Sequence, residues 1–167
     1  MSILDLPVIS RIRRNHGLEH ASLNILALSN PTLALAGISF PAGFFVLGEV
    51  ETNQLRSAVF QALSRMQNGE KHLAVHPNCG TNYVISGVVA GLLAWLGMIG
   101  AKNKREKLEH LPVAISLVTL AIIYTRPLGP IIQERITTSG EPANLQIVDI
   151  FPVRFGKFCL HRVVTND

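Results

Sequence analysis

The feature that most constrains the fold is the stretch 72–101, which contains no Asp, Glu, Lys or Arg. Within it, residues 84–99 are nearly all apolar. An α-helix of about 18 residues is roughly 27 Å long, close to the thickness of a bilayer's hydrocarbon core. Gly87, Gly91 and Gly97 would allow close contact with a second helix. The stretch therefore predicts a transmembrane helix, and a buried helix of a soluble protein is the competing interpretation.

A second apolar segment, 111–124, follows and ends just before Arg126. The linker between the two segments, 102–110, is polar and contains four basic residues. Two apolar segments joined by a short polar linker predict a transmembrane helical hairpin over residues 83–125. A hairpin that enters the bilayer without crossing it is the alternative.

The orientation of this hairpin rests on two signals that disagree. Residues 1–10 contain no apolar core behind basic residues, so no secretory signal peptide is visible and the N-terminal part is expected to stay in the cytoplasm. The positive-inside rule would instead put the basic linker there. We give the absent signal more weight. The sequence thus predicts a multi-pass membrane protein with two spans and a cytoplasmic soluble domain.

Composition narrows the expected partners. Charged residues make up 16% of the chain, hydrophobic residues 48%, and the net charge is +4. The basic residues are dispersed and few aromatic residues accompany them, so nucleic acid is not an expected partner. The cluster Arg11, Arg13 and Arg14 suits an anionic membrane surface, or else a solvated helix start. Membrane lipid is the expected partner, with a membrane protein complex as a further candidate.

The remaining segments predict a small domain of helices and strands. Apolar residues recur at helical spacing in 16–28 and 53–66, and Thr52 is a candidate N-cap for the second helix. β-branched, aromatic or alternating runs bounded by turn residues predict four strands. These are 33–39, 44–51, 145–151 and 157–164, the last two around a bend at Pro152 and Gly156.

The first strand pair is expected to be a hairpin around the Pro-Ala-Gly turn at 41–43, with a membrane segment over 33–48 as the alternative. Residues 128–137 are expected to form a short helix along the membrane surface. The expected fold class is α+β: a small cytoplasmic α/β unit with about four strands and two helices, plus a two-helix transmembrane hairpin. Residues 1–82, 83–125 and 126–167 would form its three parts.

One candidate metal motif lies at the start of the first helix. His16, Glu19 and His20 share a helix face because positions i, i+3 and i+4 do so. Two imidazoles four residues apart can bind one metal ion, and the carboxylate can bind it or act as a base. His-x-x-Glu-His is the inverted zincin spacing. The alternative is a polar cluster in the first turn of a helix.

The second candidate motif precedes the apolar stretch. His76 and Cys79 stand three residues apart, and imidazole with thiolate is a ligand pair for zinc or another divalent metal. A lone cysteine is otherwise a small buried apolar residue. The other cysteine, Cys159, leaves too few for a disulfide framework. Together the two motifs predict a metal site of His16, His20, His76 and Cys79.

The order of these motifs resembles a known family. The chain has His-Gly-Leu-Glu-His at 16–20, His-Pro-Asn-Cys-Gly-Thr at 76–81, and then Leu-Gly-Pro, Gln133 and a Thr-Thr pair within 128–138. It resembles bacterial membrane proteins catalogued as predicted metal-dependent enzymes, and is most similar to a short branch of unknown function found in cyanobacteria and other bacteria. The resemblance implies a metal site but no particular reaction.

The motifs are compatible with three functions. In the first, a closed site of four ligands holds zinc, and the protein is a structural or assembly factor of a membrane system. In the second, three histidines hold the metal and Glu19 is the base of a membrane-bound metal-dependent hydrolase. True inverted zincins take a third ligand from a distant Glu, and no second helical motif here supplies one. In the third, the motif residues form a metal-free polar network.

Overall fold

The computed structural model describes residues 2–155 and 158–167. These residues form a four-stranded antiparallel sheet and five α-helices, two of them paired as a helical hairpin. The expected α+β class with a helical hairpin is therefore confirmed. The chain divides into two compact units, Met1–His76 with Ile132–Asp167, and Pro77–Ile131.

Two helices of the first unit, α1 (Pro7–Ser29) and α2 (Thr52–Gln67), cover its sheet. Proline at the first position of α1 costs nothing because its missing N–H would have no helical partner. α1 begins at Pro7, before the predicted start at residue 16. The prediction missed these first turns because they carry arginines and have no apolar stripe. Thr52 as a helix cap is wrong: Glu51 occupies the cap position, and the Thr52 hydroxyl lies 3.0 Å from His161 Nε2.

The sheet has the order β1-β2-β4-β3, with strands Ala36–Phe40, Gly43–Leu47, Gln146–Phe155 and Phe158–Asn166 numbered along the chain. The predicted hairpin at 33–51 is present as β1 and β2. Gly43 between them has φ 119°, a conformation that favours glycine. Phe44, Val163 and Ile150 are neighbours across β2, β4 and β3, and all three are buried in the core against α1 and α2.

Proline does not bend the third strand. β3 runs through Pro152, which pairs with His161 of β4, so the predicted bend at Pro152 is wrong. β3 lies at the edge of the sheet, where a proline is tolerated because its missing N–H can face outward. The predicted bend at Gly156 lies outside the described residues.

The second unit contains α3 (Gly80–Gly97) and α4 (Lys104–Thr125). The short helix α5 (Leu128–Ile132) follows, and the chain re-enters the first unit with a π-helical turn, Gln133–Thr137. The two long helices contact closely: a Cβ on Gly97 would lie 2.9 Å from the Cα of Ala114. Most of the predicted polar linker 102–110 is helical instead. Asn103 caps α4 by accepting the Glu106 N–H at 3.0 Å, which starts the helix before its apolar part.

Both long helices are long and apolar enough to cross a membrane. None of the residues of α3, all of which the structure describes, is buried. Val84 and Trp95 are each 66% exposed. A core helix of a soluble protein would bury such side chains, so this exposure favours a hydrocarbon environment around the hairpin.

Candidate metal centre

Three of the predicted ligands come together within the first unit. His16 and His20 stand one helical turn apart on α1, with ring centroids 4.3 Å apart. A ring nitrogen of one lies within 4.8 Å of a ring nitrogen of the other. The ring of His76, in the segment that follows a short 3-10 turn at Lys71–Ala74, lies 5.7 Å from that of His20.

Each of the three histidines has its Nδ1 beside a carbonyl oxygen. His16 Nδ1 is 2.9 Å from the Thr137 carbonyl, and His20 Nδ1 is 2.8 Å from the Ala74 carbonyl. His76 Nδ1 is 2.6 Å from Asn24 Oδ1. A carbonyl oxygen only accepts, so the Nδ1 atom must carry the proton and donate it. In its neutral form each imidazole therefore has Nε2 as its lone-pair nitrogen.

The orientation of the Asn24 amide is set independently. Its Nδ2 donates to the carbonyls of Leu73 and Val75, both at 3.0 Å, so its oxygen must be the atom that faces His76. Asn24 is one turn beyond His20 on the same face of α1. The sequence analysis missed it, although the spacing 16, 20, 24 was a usable signal.

His76 is held by its backbone as well. Its N–H donates to Gln133 Oε1 at 2.9 Å, and its carbonyl accepts from Gln133 Nε2 at 3.0 Å. Gln133 is fully buried, and its own carbonyl accepts from the Thr138 hydroxyl at 2.9 Å. Burial, with a smaller effect from nearby His20, lowers the pKa of His76 to about 4. Its imidazole is therefore neutral near pH 7, as a metal ligand must be.

The carbonyl that orients His16 depends on close approach of the C-terminal segment. Ser139 N–H donates to the Arg13 carbonyl at 2.9 Å, and the Arg13 guanidinium donates to the Thr138 carbonyl at 3.0 Å. A Cβ on Gly17 would lie 2.1 Å from the Ser139 carbonyl oxygen. Glycine at this position thus lets the segment contact α1 where Thr137 meets His16.

The arginine cluster of α1 is engaged inside the first unit. Arg11 and Arg14 form ion pairs with Asp167, and Arg13 contacts the 135–138 segment. These contacts favour a role in holding the C-terminal segments on α1 over the expected role at an anionic membrane surface.

Glu19 is buried and points toward the sheet. Its carboxylate accepts a hydrogen bond from the Ser39 hydroxyl, and its Oε1 occupies the space that a Cβ on Gly37 would need. Burial raises the pKa of Glu19, while the Ser39 hydrogen bond and the proximity of His16 partly lower it. The carboxylate therefore contacts β1 and lies close enough to influence His16.

Cys79 and the remaining histidines differ in their burial. Cys79 is the residue before α3 and is buried in the second unit; its role as a ligand stays a prediction. His72 is exposed, and His110 Nδ1 lies 3.1 Å from the Gly97 carbonyl within the hairpin. His161, on β4, is buried in the core.

The donor set fits a divalent metal. Neutral imidazoles with a fixed Nδ1 tautomer suit zinc and similar ions, and ligating histidines usually donate their second N–H to a carbonyl or carboxylate. The arrangement of His16, His20 and His76 has both properties.

The fold and the site define an α+β protein with an apolar helical hairpin and a cluster of three histidines, of which His20 is buried and His16 and His76 are partly buried. The chain belongs to the family described as Domain of unknown function (DUF6391), which matches residues 11–150. It is 34% identical to an uncharacterized protein of Picosynechococcus sp. (strain ATCC 27264 / PCC 7002 / PR-6) over 152 residues, covering 83% of this chain and 71% of the relative. No solved structure matches the chain.

Proposed function

We propose that the protein is a membrane-anchored metalloprotein in which His16, His20 and His76 hold a divalent ion, zinc in the first instance. The observation that carries the proposal is the orientation of the three imidazoles, each by a carbonyl at its Nδ1. This orientation leaves Nε2 of each neutral ring with its lone pair, which is the arrangement that ligating histidines usually have. The anchor would be the α3–α4 hairpin, whose exposed apolar surface suits lipid.

The role that these contacts favour is structural. The cluster joins α1 to residues 74–76, and the Thr137 carbonyl adds the segment that follows the hairpin in the chain. An ion bound only by the folded state stabilises that state by mass action. The ion would thus fix the segments that enter and leave the hairpin. A membrane protein built in this way suits a structural or assembly factor of a membrane system.

Metal analysis of the full-length protein in detergent tests the centre. We expect about one equivalent of zinc per chain in the wild type and its loss in His20→Ala, because His20 is central to the cluster. His72→Ala is the matched control, since His72 is exposed on the same unit. Well-folded wild-type protein that binds no zinc, and no other divalent ion under titration, would leave only a metal-free polar network.

The sequence-based proposal of Cys79 as a fourth ligand has its own test. Cys79→Ala should weaken zinc binding and stability if the thiolate closes the site, whereas Cys159→Ala, at an exposed position of β4, should change neither. Cobalt substitution distinguishes the two cases directly, because a thiolate ligand gives a charge-transfer band in the near ultraviolet. Unchanged spectra in Cys79→Ala would reduce the site to three histidines.

A metal-dependent hydrolase is the second candidate, and the position of Glu19 favours it. Glu19 is buried and close enough to His16 to interact with its charge, so its carboxylate would act as the base. The metal, when bound, would supply a Lewis acid. The resemblance to predicted metal-dependent enzymes supports this alternative. Glu19→Gln should then keep zinc and lose hydrolysis of p-nitrophenyl acetate, whereas a structural centre predicts no metal-dependent hydrolysis in the wild type.

A further inference from the structure

A cavity of about 660 Å³ opens in the second unit, where α3 begins and α4 ends. Its volume is within the range of about 300–1,000 Å³ that is usual for small-molecule sites. The polar residues Ser86, Thr125 and Arg126 line it, and the apolar residues Ala90 and Ile122 lie about one helical turn further into the hairpin. Such a division into a polar and an apolar end matches an amphiphile.

Arg126 gives the cavity its charge. It is the one charged residue among the described residues that line the cavity, and its side chain is exposed. No ion pair to Arg126 is present in the described part of the chain. Neighbouring Ser86 and Thr125 are hydrogen-bonded to each other at 2.9 Å, so both hydroxyls lie at the same polar end. The cavity therefore complements an anionic group that accepts hydrogen bonds.

The apolar end remains open because α3 has small residues there. A Cβ on Gly87 would meet nothing within 4 Å, and Ala90, almost one turn further on, also lines the cavity. Ala90 is eight positions after Asn82 on α3, which corresponds to about 12 Å along the helix axis. This length can hold the upper part of an acyl chain against Ile122 of α4.

We propose that this cavity binds one anionic phospholipid, with the phosphate on Arg126 and an acyl chain between α3 and α4. Basic pockets between transmembrane helices are a recognised form of lipid headgroup site. The proposal rests on the membrane anchor of the proposed function and is independent of the metal centre.

Native mass spectrometry of the full-length protein, released from micelles with equal amounts of phosphatidylglycerol and phosphatidylcholine, tests the site. The wild type should retain phosphatidylglycerol preferentially. Arg126→Gln should lower that preference about tenfold or more, since a hydrogen bond to a charged group is lost. Lys104→Gln, an equal change of charge at the opposite end of α4, should leave the preference unchanged.

A second variant tests the apolar end. Gly87→Leu places a side chain in open space, so the helices can stay paired while the groove is filled. It should reduce retention of both lipids. Equal retention of the two lipids by the wild type, an equal loss in Lys104→Gln, or equal displacement by soluble glycerol phosphate would overturn the site.

Carbonate extraction distinguishes a failure of the lipid site from a failure of the proposed membrane anchor. Extraction of the wild type from membranes by alkaline carbonate would refute the anchor and with it the lipid site. Retention in the carbonate pellet without any lipid preference would refute the lipid site alone.

Discussion

Asn24 Oδ1 lies 2.6 Å from His76 Nδ1, and this contact fixes the proton on Nδ1 and leaves Nε2 as the lone-pair nitrogen of the neutral ring. Asn24→Ala removes the acceptor, so the tautomer of His76 is no longer set. We expect the zinc affinity to fall by about 10–100-fold, as is typical when a partner of a ligating histidine is lost. Competition against a chromogenic chelator measures the change.

Asn24→Asp is the matched control for this variant. It keeps an oxygen acceptor toward His76 but loses the two donors to the carbonyls of Leu73 and Val75. Its stability should decrease while zinc affinity is largely retained. If Ala and Asp variants lose affinity equally, the contact with His76 does not tune the site.

Gly17→Ala should disturb the site from a distance. The added Cβ would lie 2.1 Å from the Ser139 carbonyl oxygen, so residues 137–139 must shift away from α1. We expect a loss of about 1–3 kcal/mol in unfolding free energy, as for other forced insertions into packed regions, together with weaker zinc binding because Thr137 no longer orients His16. Thermal unfolding and zinc competition measure the two effects.

Gly91→Ala provides the comparison, because a Cβ there meets nothing within 4 Å. It should leave both stability and zinc affinity close to the wild type. Unchanged zinc affinity in Gly17→Ala would show that the Thr137 contact is unimportant for the site.

The sequence predicted the parts of the fold that depend on periodicity. The α3–α4 hairpin, the β1–β2 hairpin and both long helices of the first unit follow from apolar spacing and turn residues, which act locally. The partners of the histidines could not be predicted in the same way. Thr137 and Ala74 contribute backbone carbonyls, which carry no signature in the side-chain sequence. Gln133 belongs to one of the motifs on which the family resemblance rests. Its contact with His76 could not be predicted, because the two residues are far apart in the chain.

The burial of His161 could not be predicted from the sequence either. A histidine in an alternating strand gives no sign of which face it occupies, and His161 shares the core face with Val163. Its Nε2 lies near the Thr52 hydroxyl, and its Nδ1 has no partner among the described residues. Position on the buried face is decided by the register with Val46 of β2, a long-range property.

His161 should make stability depend on pH. Burial lowers the pKa of His161, so the folded state keeps the ring neutral while the unfolded state binds a proton below about pH 6.5. Its contribution is therefore complete above about pH 6.5 and is lost as pH falls toward the lowered pKa. His161→Gln should show a smaller loss of stability between pH 7.5 and pH 5.5 than the wild type in chemical denaturation. Parallel pH profiles would contradict this.

Labelling of one exposed cysteine should report the orientation of the hairpin in the membrane. Cys159 lies exposed on β4 in the first unit, whereas Cys79 is buried. If that unit is cytoplasmic, a membrane-impermeant maleimide should label Cys159 in inside-out vesicles or after permeabilisation, and not in intact cells. Cys159→Ala should abolish the labelling, which excludes a contribution from Cys79. Labelling in intact cells would place the unit on the other side of the membrane, in agreement with the basic residues of 102–110.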